Sequence, residues 1–346
     1  MMGAVRALRK ASMSQLKPSA DSSGGVLIVG SITADLTTFS DRLPARGETI
    51  LGYDFTLVLG GKGANQAVSA GLAGASAHMV ACVGTDLFSA LVTDGLRNAG
   101  VNIDHVRKVE GPTGIAHIRV DDSGENDIVM VPLANASLSK EQIDAAFAER
   151  GAASKVLLTQ LEIPWALTQY AIRKAHDAGL TIILDPAPAA PLDDDIWPLV
   201  DIVTPNETEA SMLTGISVTD RTSAIEAGRW FIERGALNAL ITMAAAGAVL
   251  VSADGVALFD SIPVNAVDTT AAGDAFAGYL GASIALGYEL HEAINRAVAA
   301  GALTVTKRGA SPSLPNREDV DALLVSNRIA DAGLATNKSN EILAPK

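Results

Sequence analysis

Two aspartates six residues apart, Asp268 and Asp274, bracket the small-residue turn of the segment DTTAAGDAF (268–276), and the helix expected behind it carries almost no charge. A helix start offers free backbone N–H groups and the positive end of the helix dipole, and so forms an anion site. Phosphoryl transfer needs such donors for the moving phosphoryl oxygens and, at the same point, a carboxylate to accept the proton of a hydroxyl. Gly273, with Ala271 and Ala272 leaving the backbone open beside it, is placed to supply the first, and Asp274 the second. The same residues also suit a plain cap. Asp268 with Thr269 and Thr270 can close an Asx or ST turn, and an acid in a first helical turn is stabilised by roughly 0.3–1 kcal/mol.

Other polar and glycine-rich positions fall at the ends of expected strands, where open α/β sheets bind ligands. GSITAD (30–35) leaves the first strand in a turn that contains Thr33 and Ala34 and ends in Asp35. It has one glycine, so it is not a dinucleotide fingerprint, and its acid suits either a polyol or a cap. LGGKGANQA (59–67) sets Gly60, Gly61 and Gly63 around Lys62 and then runs through Ala64 into Asn65. Thr56 and Gly63 rule out a Walker A loop; glycines here let backbone amides approach a small ligand, with Lys62 and Asn65 as directed donors. QLEIP (160–164) places Glu162 just beyond a strand. TPNETEA (204–210) places Asn206 and Glu209 three apart, which fits a capping box or the water shell of a nucleotide-bound Mg²⁺. ITMAAAG (241–247), with Thr242, Met243, Ala244, Ala245, Ala246 and Gly247, is a strand and a small turn suited to lie under phosphates.

The elements that must position these residues alternate. Short apolar runs begin at 26, 78, 156, 181, 201 and 239, and helices are expected at 64–74, 86–99, 139–149, 164–178, 206–214, 222–234, 273–286, 289–306 and 317–326. That alternation predicts an α/β fold, a three-layer α/β/α arrangement around a mostly parallel sheet. Segments 49–61 and 113–132 read as β structure without helices between, and predict a small second sheet inserted as a lid over the cleft.

Composition narrows the function. A chain of 346 residues with 48% hydrophobic and 19% charged residues can bury a large single core. A net charge of −13 repels phosphate backbones and anionic membranes, so neither nucleic acid nor membrane is expected as a partner. No apolar run approaches a membrane span, and the single cysteine, Cys82, agrees with a reducing, cytoplasmic setting. The five histidines lack metal spacing; in HEAIN the position of a second zinc-ligating histidine holds Asn295. Residues 1–25 carry Arg6, Arg9, Lys10 and Lys17 with no acid before Asp21, which reads as a flexible extension, with an organelle transit peptide as the alternative. Residues 331–346 read as a tail.

From about Val26 to about Ala322 the chain resembles the ribokinase-like (phosphofructokinase B type) carbohydrate kinases. GGKGANQA and DTTAAGDAF stand in the family's order and separation, joined by LPARGET, QLEIP, DPAPA, TPNETEA and KRGASPS. The resemblance implies a kinase domain over 26–330 with its β lid from about 36–61 and 113–132. It implies ATP-dependent phosphorylation of D-ribose at the 5-hydroxyl, with Asp274 as general base and Ala271 to Asp274 as anion hole. The sugar would be held by Thr33, Ala34 and Asp35, by Gly61, Lys62, Gly63, Ala64 and Asn65, and by Glu162. ATP would be held by Asn206, the 242–247 turn, Gly273 and Val298, with Glu209 ordering Mg²⁺ indirectly. Potassium would be bound by Asp268, Thr270, Thr304, Lys307, Gly309 and Ser313, and the lid would pair two subunits into a homodimer. Three positions depart from the family pattern: Thr33 replaces an asparagine at the sugar, Ala244 the first glycine of the phosphate turn, and Val298 a histidine near the adenine. They motivate two alternatives, the same chemistry on deoxyribose, a hexose or a nucleoside, and a sugar-binding regulator without catalysis. An NAD-linked oxidoreductase is disfavoured by the missing GxGxxG.

Overall fold

A computed structural model describes residues 24–123 and 125–327. The expected N-terminal extension and C-terminal tail therefore lie outside the described residues, apart from Gly24 and Gly25. In chain order the strands are β1 (Gly25–Val29), β2 (Thr33–Ser40), β3 (Asp54–Gly60), β4 (Ser76–Val83), β5 (Asn102–Lys108), β6 (Gly114–Asp121), β7 (Asn126–Val131), β8 (Ser154–Thr159), β9 (Thr181–Leu184), β10 (Ile202–Val203), β11 (Asn238–Thr242), β12 (Ala248–Ser252) and β13 (Gly255–Phe259). The α-helices are α1 (Lys62–Leu72), α2 (Phe88–Asn98), α3 (Lys140–Arg150), α4 (Trp165–Asp177), α5 (Glu207–Thr214), α6 (Arg221–Glu233), α7 (Ala272–Ala285), α8 (Leu290–Thr304) and α9 (317–327).

The main sheet has nine strands in the order β13-β12-β11-β10-β9-β8-β1-β4-β5, parallel from β11 to β5 and antiparallel at the β12–β13 edge. Its strands are apolar on both faces, as a parallel sheet covered by helices requires. In β1, Val26 and Ile28 join the core under α1, α2, α7 and α8, while Leu27 and Val29 join the core under α3, α4, α5 and α6. All the expected helices and central strands are present. The expected strand at 201 is only two residues long, and β5 and the β12–β13 hairpin were not anticipated. The hairpin does carry a signal, Asp254–Gly255 between two β-prone runs.

The second sheet has four strands in the order β3-β2-β6-β7, with β2 parallel to β6 and antiparallel to β3. It corrects two expectations. Thr33, Ala34 and Asp35 are not a turn but the first three residues of β2, so the small sheet begins at 33 rather than 36. Between 49 and 61 only Asp54–Gly60 is strand. The small sheet thus leaves the main one directly after β1, which carries Asp35 to the cleft on regular structure rather than on a loop.

α1 and α7 touch because small residues face each other. A Cβ on Gly278 would stand 2.5 Å from the Cβ of Ser69, whose hydroxyl donates to the Ala275 carbonyl at 3.0 Å. This close approach brings the N-terminal ends of both helices to one point.

Candidate active site

That point holds Asp274. The uncharged helix α7 is buried from Asp274 to Ala285, as its composition predicts, and Asp274 itself is only 5% exposed. Ala271, the residue before the helix, takes a left-handed conformation (φ 60°), and Gly273 is exposed in the first turn. A Cβ added to Gly273 would meet nothing within 4 Å. The helix start is therefore an open cradle of backbone donors, with a buried carboxylate at its side.

α1 supplies the partners of that carboxylate. Asn65 donates to Asp274 Oδ2 at 2.9 Å and Gln66 to Oδ1 at 3.2 Å; Gln66 also donates to Asp185 Oδ2 at 2.7 Å. Asn65 uses one amide N–H on Asp274 and accepts a 2.8 Å hydrogen bond from Ser311. Lys62 Nζ lies 3.8 Å from Asp185. Burial works against the lysine's charge, but Asp185, Asp274, Glu162 and Glu209 outweigh it and hold the ammonium protonated. Burial raises the Asp185 carboxyl, and Lys62 opposes the rise. Asp185 and Gln66 were not anticipated as site residues. The signal for both was present, in the DPAPA and GANQA motifs, but no spacing tied them together.

The glycines of 60–63 pack against the chain at 31–35. Gly61 has φ 88°, and a Cβ on Gly63 would lie 2.5 Å from the backbone nitrogen of Ser31. On Gly60 it would collide with the Asp35 carboxylate. They make room for the chain at 31–35. The packing is tied by Glu162, which accepts from the Ser31 hydroxyl at 2.5 Å and from the Lys62 backbone N–H at 2.9 Å, and by Ala64, whose N–H donates to the Ser31 carbonyl. Asn135 holds the other side by exchanging hydrogen bonds with the backbone of Ile32. Ser31 lies within GSITAD but was not singled out, and Asn135 carries no motif.

Asp35 is 6% exposed and accepts from Thr33 Oγ1 at 2.6 Å. Burial pushes its carboxyl up to about 6 against the Thr33 hydrogen bond, and the charges of Glu162 and Asp274 add to the rise. Glu162 is raised by burial too, opposed by Lys62 and Ser31. Asp35, Glu162, Lys62 and Asp274 thus influence one another across a single cleft.

On the adjoining side, Asn206 and Glu209 form a complete capping box at the start of α5, at 2.8 and 2.9 Å. The charge of Glu209 still reaches Lys62 and Asp185. Asn206 is bridged to Thr242, which leads into the 243–247 turn closed by the Met243 N–H donating to the Gly247 carbonyl at 2.8 Å. Ala244 adopts φ 41°, a conformational cost for an alanine, and Ala244, Ala245 and Ala246 are all exposed. Val298 is half-buried on α8 and packs against the core.

Asp268 accepts from Thr270 N–H and Oγ1 with one oxygen and from the Gly309 N–H at 2.8 Å with the other. Burial tends to raise this carboxyl, but those donors win and hold it below the usual range. Thr304 and Ser313 are buried; their hydroxyls donate to the Ala300 and Ala310 carbonyls, and the Lys307 N–H donates to the Thr304 carbonyl. An ionised carboxylate among loop carbonyls is a donor set that a hard monovalent cation fits. Among the described residues no group of three or more His, Cys, Asp or Glu could hold a metal ion, and no helix is long and apolar enough to cross a membrane.

Comparison with known proteins agrees with this geometry. Residues 24–317 match the model of the pfkB family of carbohydrate kinases. A ribokinase of Haemophilus influenzae is 38% identical over 294 residues, covering 84% of this chain and 95% of that protein. A deoxyribokinase of Salmonella typhi is 34% identical over 304 residues, covering 87% and 99%. The solved structure of an Arabidopsis thaliana ribokinase complexed with ribose and ATP superposes with a TM-score of 0.79 at 31% identity, covering 88% of this chain and 99% of that one. By sequence, fold and arrangement of its cleft, the chain belongs to the pfkB family and is a carbohydrate kinase.

Proposed function

We propose that this kinase transfers the γ-phosphoryl group of ATP to the 5-hydroxyl of D-ribose, giving ribose 5-phosphate and ADP. The observation that carries the reading is the buried Asp274 carboxylate beside the open helix start at Gly273, with Asp35 and Lys62 facing the same cleft. The ribokinases among its relatives support the acceptor.

In this reading Asp35 grips ring hydroxyls, and Lys62 and Glu162 complete the sugar side. Asp274 takes the proton of the attacking hydroxyl while the backbone N–H groups at 271–274 receive charge on the phosphoryl oxygens. Asn206, the 242–247 turn, Gly273 and Val298 hold the nucleotide. Mg²⁺, when bound with ATP, neutralises charge on the β- and γ-phosphates, with Glu209 ordering its water. Asp268, Thr270, Thr304, Lys307, Gly309 and Ser313 would hold a potassium ion, whose charge would brace the loop beside the anion hole. The small sheet closes over the sugar and excludes water, which would otherwise compete as acceptor. The exposed Tyr53, Phe55, Ile128, Val129 and Val131 on or beside its outer strands suit a homodimer contact through the lid. The one cysteine, Cys82, is free and buried, in keeping with a cytoplasmic setting.

A second acceptor, 2-deoxyribose, is favoured by one observation: the Thr33 hydroxyl is turned onto Asp35, and a deoxyribokinase stands among the relatives. The test is ADP release from ATP and Mg²⁺ with ribose, 2-deoxyribose, fructose or adenosine, each with potassium and with a non-activating cation. Potassium-stimulated turnover confined to ribose supports the reading. Turnover on another acceptor moves the substrate, and silence with ribose still bound favours a sugar-binding regulator.

A further inference from the structure

The carboxylate of Asp274 is gripped on both oxygens by side-chain amides, and each amide is held from behind. Asn65 donates to Oδ2 while its own carbonyl oxygen accepts from Ser311 Oγ at 2.8 Å. Gln66 donates one N–H to Oδ1 and the other to Asp185, while its carbonyl oxygen accepts from the amide nitrogen of Gln160. An amide that flipped would turn a carbonyl oxygen toward the carboxylate, and a donor placed behind it adds to the carboxylate's own preference against that. Gln160 is fully buried, and aiming its nitrogen at Gln66 leaves its own Oε1 buried without a partner. A structure that tolerates an unsatisfied buried acceptor at one end of Gln160 is maintaining the donor at the other.

We propose that Ser311 and Gln160 are positioning residues of this kinase, which lock the Asn65 and Gln66 amides so that the Asp274 carboxylate is fixed in the plane where it meets the acceptor hydroxyl. This rests on the reading of Asp274 as the general base. Neither residue touches Asp274, and Ser311 reaches the site from the loop that follows α8. The lock therefore ties three separate segments, the loop after β8, the start of α1 and the 309–313 loop, to one carboxylate. The carboxylate is free of such a lock only if its rotamer is set by charge alone. Lys62, Asp35, Glu162 and Asp185 surround it from α1, β2 and the loops after β8 and β9, with three acids against one lysine. Charges at that range set no preferred plane for the carboxylate, which leaves the amides as its directional support.

Ser311→Ala and Gln160→Met remove the two donors with little change in volume, and Gln160→Glu keeps the shape of Gln160 while turning an acceptor toward Gln66. Each is compared with the parent and with Asp274→Asn in steady-state kinetics on the best acceptor, with the thermal midpoint measured alongside. The expected result is a loss in kcat of up to about tenfold for Ser311→Ala and Gln160→Met, the size of one neutral hydrogen bond, with KM for acceptor and ATP within about twofold. Gln160→Glu is expected to lose more kcat than Gln160→Met, and Ser311→Thr, which restores a hydroxyl, to recover most of the loss. Parent-like kcat in both donor-removing variants while Asp274→Asn is inactive would overturn the lock and leave the base in place. A rise in KM at unchanged kcat would also overturn it. Turnover by Asp274→Asn itself would instead remove the base, a distinct result.

Discussion

Asn65 and Asp274, 209 residues apart in the chain, meet through a 2.9 Å hydrogen bond in the buried floor of the cleft. The bond joins the first turns of α1 and α7 and places the carboxylate beside the open N–H groups at Gly273. If Asp274 accepts the acceptor's proton, Asp274→Asn keeps the shape of the site and removes only the base. We expect kcat to fall by about 10² to 10⁴, with nucleotide affinity little changed, as read by steady-state kinetics and a nucleotide-binding titration. Near-parental turnover would take the role away from Asp274.

Two glycines separate folding from function. Gly63→Ala sets a Cβ 2.5 Å from the Ser31 nitrogen and 2.7 Å from its carbonyl oxygen, backbone against backbone. A loss of about 1–3 kcal/mol in unfolding free energy follows from such overpacking. Gly273→Ala meets nothing within 4 Å and replaces a helical glycine, which favours stability by up to about 1 kcal/mol. Its methyl group nevertheless stands in the space meant for phosphate, so kcat is expected to drop tenfold or more. Denaturant unfolding and kinetics on both variants check the pair; a Gly273→Ala protein that is unstable yet active contradicts it.

Stability depends on pH through Asp35. Burial raises its carboxyl from an ordinary 3.8 to about 6, so the folded protein holds this proton more tightly than the unfolded chain. The contribution is whole below about pH 4 and is lost as pH rises through 6, up to about 3 kcal/mol in all. Asp35→Asn removes that loss, so the variant should gain on the parent between pH 4 and 7 in urea titrations. A constant difference across that range would contradict the assignment. Sugar hydroxyls that donate to the charged carboxylate should bind more tightly over the same interval, measured by calorimetry on the parent.

Ala244 holds φ 41° at the turn after β11. A left-handed alanine costs about 1–2 kcal/mol, and glycine returns part of that through its greater freedom in the unfolded chain. Ala244→Gly is therefore expected to raise the unfolding free energy by roughly 0.5–1 kcal/mol. Equal or lower stability in denaturant titration would show that the turn carries no strain.

Much of this was readable from local pattern. The period of the apolar runs marks β1, β4, β8, β9 and β11 and the helices α1 to α9 of the described residues, because burial on both faces of a parallel sheet leaves continuous apolar segments. The uncharged composition of α7 announces its burial, and the Asn206–Glu209 spacing announces the capping box. Asp274 stands out as the acid at a small-residue helix start. These properties rest on residues a few positions apart, where spacing and geometry are the same thing.

The rest required the folded chain. That the glycines at 60–63 accommodate Ser31 and Asp35, that Thr33 to Asp35 form a strand, and that Gln66 joins Asp274 to Asp185 all depend on segments between 25 and 210 residues apart in sequence approaching within a few ångströms. Local propensity carries no information about such pairings. The close packing of Gly278 on Ser69 decides the last of these, since it sets how near α1 comes to α7 and so which side chains the carboxylate meets.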